Sequence, residues 1–102
     1  MSENLLNLVN TIRERKNKDK AKSYTSSLLT AGLSKCIDKM EEEFGELKEA
    51  LNDKSNEVHE AADTIYHILV TLEAANIKFE DVLQELENRK NQSGIEEKNN
   101  RK

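Results

Sequence analysis

Leu33, Cys36, Ile37, Met40, Phe44, Leu47 and Leu51 recur at three- and four-residue intervals, an apolar stripe along one face of a helix over about 33–52. No proline interrupts that stretch or any other, and 102 residues contain only three glycines and no tryptophan. With breakers and strand formers this scarce, the chain favours helices over sheets. Leu5, Leu8, Val9 and Ile12 set a first amphipathic helix over about 3–16. A third long helix, about 57–75, carries Val58, Ala61, Ala62, Ile65, Ile68, Leu69, Val70 and Leu72 around more than half its circumference. It is the expected central element. A short helical turn from Ser23 ends before Gly32, and a last helix with Phe79, Val82, Leu83 and Leu86 ends near Arg89. The expected fold is all-α, a bundle of about four to five helices.

Between these elements, Lys16 to Lys22 reads as a polar, basic loop and Asn52 to Asn56 as a turn. Ser55 or Asn56 can cap the helix that follows, and Asn76 suits a helix stop. Residues 1–90 are expected to form a single domain. Residues 91–102, polar and of alternating charge, have nothing to pack and are expected to be a disordered tail.

Charged and hydrophobic residues each make up 35% of the chain, a thin core for one small domain. A homodimer or homotetramer is therefore expected. The net charge of −4 argues against a nucleic-acid partner. No apolar run approaches the roughly 20 residues of a membrane span, and the start of the chain lacks the basic-then-apolar order of a signal peptide. The lone Cys36 leaves no intrachain disulfide and lies on the apolar stripe, so it reads as core in a reducing, cytoplasmic setting.

The acids are the candidates for chemistry. Glu43 and Glu46 point about 60° apart on one flank of the apolar stripe, with Lys39 and Ala50; Glu42 lies about 40° further round. Glu60, Asp63 and His67 share a strip about 60° wide on the third long helix. Folded back as a hairpin, the two helices can aim four carboxylates at one point. Such a cluster is costly unless cations occupy it, and buried carboxylates are rare unless paired or coordinating. Oxygen donors without a Cys–His set suit Mg²⁺, or Mn²⁺ in its place, and Mg²⁺ commonly bridges carboxylates to substrate phosphates. Gly45, Ala50, Ala61, Ala62 and Ala74 beside the acids allow close helix approach. The competing reading is a solvated charged face, which spacing alone does not exclude. Arg13, Arg15, Lys16, Lys20, Lys22, Lys35 and Lys39 are available for remaining phosphate charge, Arg13 and Lys39 foremost. His67 faces the acidic strip and can orient a carboxylate, touch substrate or serve structure alone. His59 reads as surface, and Tyr66 as packing or interface.

Several stretches together resemble a known family. They are Ile12-Arg13-Glu14-Arg15-Lys16, Ser23-Tyr24-Thr25-Ser26-Ser27-Leu28-Leu29 with Gly32, Lys39-Met40-Glu41-Glu42-Glu43-Phe44-Gly45-Glu46, Glu60 to Val70, and Asp81 to Arg89. The chain resembles the phosphoribosyl-ATP pyrophosphohydrolases of histidine biosynthesis over about residues 5–89. The acidic motifs are shared with the wider MazG-like all-α nucleoside triphosphate pyrophosphohydrolases; the Ser-Tyr-Thr segment and the Tyr-His-Ile-Leu-Val run are more specific. Lys20-Ala21-Lys22 stands where a proline is common, and the polar tail is extra. The resemblance implies an oligomer with sites near subunit contacts, and hydrolysis of 1-(5-phosphoribosyl)-ATP to the AMP compound and pyrophosphate. It also implies that Glu42, Glu43, Glu46, Glu60 and Asp63 carry Mg²⁺. A carboxylate near the metal can take the proton of the attacking water, and Glu43 or Glu46 is the candidate base. Arg13, Ser23, Tyr24 and Thr25 would hold phosphate or ribose, unless Ser23 and Thr25 simply cap a helix, and Lys39 and His67 are further candidates for substrate contact. Two rivals stay open: a house-cleaning pyrophosphohydrolase using the same acids, and a non-catalytic helical oligomerisation module.

Overall fold

A computed structural model describes residues 2–16, 18 and 23–90. Most of the expected basic loop, including Lys20 and Lys22, and all of the expected tail at 91–102 lie outside the described residues. Five helices follow one another: α1 (Ser2–Arg15), α2 (Tyr24–Ala31), α3 (Leu33–Asp53), α4 (Glu57–Ala74) and α5 (Phe79–Arg89). No strand occurs among the described residues, so the all-α expectation holds.

The helix ends follow local chemistry. Ser23 is extended, and its side-chain oxygen accepts from the Ser26 backbone N–H, a cap that fixes where α2 starts. Gly32 both ends α2 and precedes α3, at φ 100° and ψ 171°. A Cβ there would meet nothing within 4 Å, so the backbone angle, not crowding, calls for glycine. Asn76 adopts φ 61° just beyond α4, the left-handed stop expected of it. The turn before α4 uses left-handed Lys54 and Asn56. Asn56 does occupy the N-cap position, but its side chain makes no cap hydrogen bond, because the left-handed backbone turns it away from the extended cap geometry.

The antiparallel hairpin of α3 and α4 is the frame of the molecule. Two threonines set its register. Thr64 donates to the carbonyls of Glu43 (3.2 Å) and Glu60 (2.8 Å), and Thr71 to those of Cys36 (3.2 Å) and His67 (2.7 Å). Two turns forward on α4 thus match two turns back on α3. Helices α1 and α2 pack against α4, and the core draws Val9 and Ile12 from α1, Leu28 from α2, Cys36 from α3, and Leu69 and Val70 from α4. Each fully buried aliphatic side chain of this kind contributes about 1.5–3 kcal/mol. Helix α4 is central, as its wide apolar arc predicts, and Cys36 is core at 1% exposure.

The long stripe on α3 is buried only in part. Cys36 is enclosed, whereas Leu33, Ile37, Phe44 and Leu51 stay exposed, as do Val58 and Ile65 on α4. Helices α2 and α4 cover one flank of so broad a stripe, and the other flank is left exposed among the described residues. Val58 is 85% exposed.

Candidate active site

The hairpin register brings the acids of α3 opposite those of α4. One ligand atom each from Glu43, Glu46 and Glu60 lies within 4.8 Å of the others, and the same holds for His59, Glu60 and Asp63. Glu60 belongs to both groups. Its Oε1 is buried and has no hydrogen-bond partner among the described residues. An acceptor in that state has lost its water without replacement, which costs free energy unless a cation meets it.

Burial pushes the Glu43 carboxyl above the usual range, and a hydrogen bond and like charge from Glu46 push it further. Asp63 adds to the rise, while the His67 imidazole opposes it. No Lys or Arg side chain forms an ion pair with Glu43, Glu46 or Glu60 among the described residues. The donor set is oxygen-rich, crowded and under-neutralised, which fits a hard divalent cation such as Mg²⁺ or Mn²⁺.

Other expected site residues are dispersed. Glu42 is exposed, in neither group of acids, with its Oε1 3.7 Å from Lys39 Nζ. Lys39 and Glu42 line a recess of about 360 Å³ between α2 and α3, together with Ser27, Leu28, Ala31, Lys35 and Asp38. Arg13 is engaged elsewhere: both terminal guanidinium nitrogens donate to Glu80, and Nε lies 3.7 Å from Glu73. Helix α4 rises about 1.5 Å per residue, so Glu73 stands about 15 Å along its axis from Asp63.

Around His67 an ordered group forms. Its Nδ1 is 2.9 Å from the Asp63 carbonyl and its Nε2 is 3.3 Å from the Tyr24 hydroxyl. The Thr25 and Tyr66 hydroxyls bond each other. Ser23 is occupied as the α2 cap.

Sequence reasoning missed two participants. His59, read as surface, is indeed exposed, but its Nε2 is 3.2 Å from Asp63 Oδ2 at the rim of the cluster. The signal was its four-residue spacing from Asp63. Thr64, which ties the two acidic segments together, looks like an ordinary helix residue in the sequence. Gly45 corrects an expectation: it is exposed, and a Cβ there would meet nothing within 4 Å, so it does not serve close helix approach. It faces away from the α3–α4 contact.

A helical hairpin that gathers carboxylates across its two arms, with no strand among the described residues, is the build of the all-α nucleotide pyrophosphohydrolases. Comparison with known proteins narrows the class. A family model described as phosphoribosyl-ATP pyrophosphohydrolase matches residues 5–90, and the chain belongs to that family of hydrolases. The phosphoribosyl-ATP pyrophosphatase of Roseobacter denitrificans is 45% identical over 93 residues, covering 89% of each chain. That of Paracoccus denitrificans is 43% identical over 97 residues, 93% of this chain and 90% of the relative. The histidine biosynthesis bifunctional protein HisIE of Helicobacter hepaticus is 47% identical over 97 residues, 93% of this chain but 42% of the relative. No described helix is long and apolar enough to cross a membrane.

Proposed function

We propose that this chain hydrolyses 1-(5-phosphoribosyl)-ATP to 1-(5-phosphoribosyl)-AMP and pyrophosphate, in a Mg²⁺-dependent step of histidine biosynthesis. The names of its relatives support the substrate, and one observation carries the metal dependence: Glu60 Oε1, buried and unpartnered among acids that no lysine or arginine of the described residues neutralises. Glu43, Glu46, Glu60 and Asp63 would hold the cation, with Glu42 at the rim. When bound, Mg²⁺ neutralises charge on the triphosphate oxygens and acidifies a water. Glu43 or Glu46 takes the proton of the attacking water as general base. Lys39 and Lys35, one turn apart, line the α2–α3 recess, and in this reading they would meet a further phosphate.

The exposed apolar residues Leu33, Ile37, Phe44 and Leu51 on α3, with Val58 and Ile65 on α4, support self-association as a homodimer or homotetramer across the hairpin. A buried free thiol and the biosynthetic relatives fit a cytoplasmic enzyme.

The test is pyrophosphate release from phosphoribosyl-ATP by the wild type with Mg²⁺, by the wild type with EDTA, and by Glu46→Gln. The expected result is fast release that both EDTA and the substitution abolish. Turnover of ordinary or modified nucleoside triphosphates in place of the phosphoribosyl compound would replace this reading with a house-cleaning enzyme. Inactivity on every nucleotide would leave a helical binding module.

A further inference from the structure

Hydrogen-bond accounting at the start of α2 singles out one side chain. The Ser23 hydroxyl accepts from the Ser26 N–H and donates to Ser26 Oγ, each at 2.9 Å. Ser26 Oγ donates to the Arg15 carbonyl at 3.0 Å. The Thr25 and Tyr66 hydroxyls bond each other, one donating and the other accepting. Ser23 and Thr25 are therefore both engaged within the fold. Tyr24 is engaged only in part, because its side chain is half exposed while its hydroxyl still touches a buried ring.

That ring dictates what Tyr24 can do. The Asp63 carbonyl can only accept, so His67 Nδ1 at 2.9 Å carries a proton. With Nδ1 carrying the single proton of a neutral imidazole, Nε2 presents a lone pair, and in that form of the ring the Tyr24 O–H donates to it across 3.3 Å. With its proton committed, the Tyr24 oxygen has only lone pairs to offer a third group. Packing holds the arrangement: His67 is 7% exposed, and its ring stands edge-on to both Tyr66 and Tyr24.

We propose that Tyr24, oriented by His67 on α4, recognises the sugar of the nucleotide by accepting a hydrogen bond from a ribose hydroxyl, and does not hold phosphate. The inference rests on the nucleotide substrate proposed above. Phosphate oxygens of a polyphosphate are acceptors like the tyrosine oxygen, so the two would repel, whereas a ribose O–H supplies the missing proton. His67 is a positioning residue: it touches Tyr24, and through it fixes the polarity of the contact. Sites built to hydrogen-bond a substrate hydroxyl also reject analogues that lack it.

The experiment compares wild type, Tyr24→Phe and His67→Gln on phosphoribosyl-ATP and on analogues each lacking one ribose hydroxyl. Nitrogen-15 NMR of the histidine ring accompanies the kinetics. Tyr24→Phe should raise KM about tenfold, the size of one neutral hydrogen bond, with kcat moving far less. On one analogue, wild type and Tyr24→Phe should become equal. His67→Gln, whose amide oxygen can still accept from Tyr24, should retain most of the wild-type KM. The spectrum should show His67 protonated at Nδ1, with the Nε2 resonance shifting in Tyr24→Phe. An equal Tyr24→Phe penalty on every analogue, a loss confined to kcat, or a His67 protonated at Nε2 would overturn the proposal. Failure of the parent reading has a different signature, no wild-type turnover of the phosphoribosyl compound. The deoxy series is then run on whichever nucleotide is hydrolysed, or, if none is, by binding of the same nucleotides, with equal binding by wild type and Tyr24→Phe overturning the proposal.

Discussion

The two ends of α4 carry acids in opposite circumstances. Towards its C-terminus, Glu73 stands 3.4 Å from Lys16 and 3.7 Å from Arg13, and Arg13 also clasps Glu80. Lys16 closes the group by donating to Asn76 at 2.6 Å. The hydrogen-bonded guanidinium holds the Glu80 carboxyl down to about 2. Towards the N-terminus, Glu60 faces Glu43 and Glu46 of α3 with no lysine or arginine partner among the described residues, and the Glu43 carboxyl is pushed the other way. The same residue types thus perform two tasks. Acids matched by the protein's own bases fasten α1 to the α4–α5 corner; acids without such partners among the described residues are the ones proposed above to hold a cation.

The sharpest way to break this contrast is Glu60→Gln. It should lower pyrophosphate release on the order of 100-fold or more, since it alters a carboxylate common to both clusters. Without Mg²⁺ its melting temperature should equal or exceed that of the wild type, because a like charge has gone. Mg²⁺ at about 100 times its dissociation constant should stabilise the wild type by about 2.7 kcal/mol and the variant far less. A wild-type melt indifferent to Mg²⁺ would make the two ends alike after all.

Glu80→Gln tests the other end and should have the opposite sign. It should lower the melting temperature by a few degrees at neutral pH and leave pyrophosphate release unchanged. The Glu80 carboxyl is lower in the folded protein than its ordinary 4.5. Its contribution to stability is therefore present above 4.5 and disappears as pH falls towards 2. Acid unfolding followed by circular dichroism should show that segment of the slope flattened in the variant. The smallest expected effect belongs to Gly45→Ala. An exposed mid-helix glycine with free space around it should yield about 0.5–1 kcal/mol of added stability on substitution. A gain in melting temperature with a fall in activity would place substrate or a second copy of the chain against that surface.

The helices were legible because each rests on local evidence: apolar period, serine and glycine at the joints, asparagine at the stop. Facing acids were legible too, since three-residue spacing fixes a helix face whatever packs on it. What escaped depends on partners distant in sequence. Arg13, foremost among the bases read as free for phosphate, meets Glu80 67 residues away. Gly45 was read as a contact because small residues often are, yet only tertiary packing decides which side of α3 faces α4. His59 was set aside on helical phase alone, although Asp63, one turn further along α4, comes within 3.2 Å of its Nε2.

Gly32 makes α2 and α3 neighbours in phase as well as in sequence. With a single residue between the helices, the rotational setting of α2 about its own axis is inherited from α3. One extra residue within α2 would turn everything before it by about 100° about the helix axis. Tyr24 would swing away from His67, and the core contributions of α1 would be displaced with it. Length at this joint is therefore a more stringent constraint than side-chain identity: the segment can tolerate many substitutions, but not a change in count.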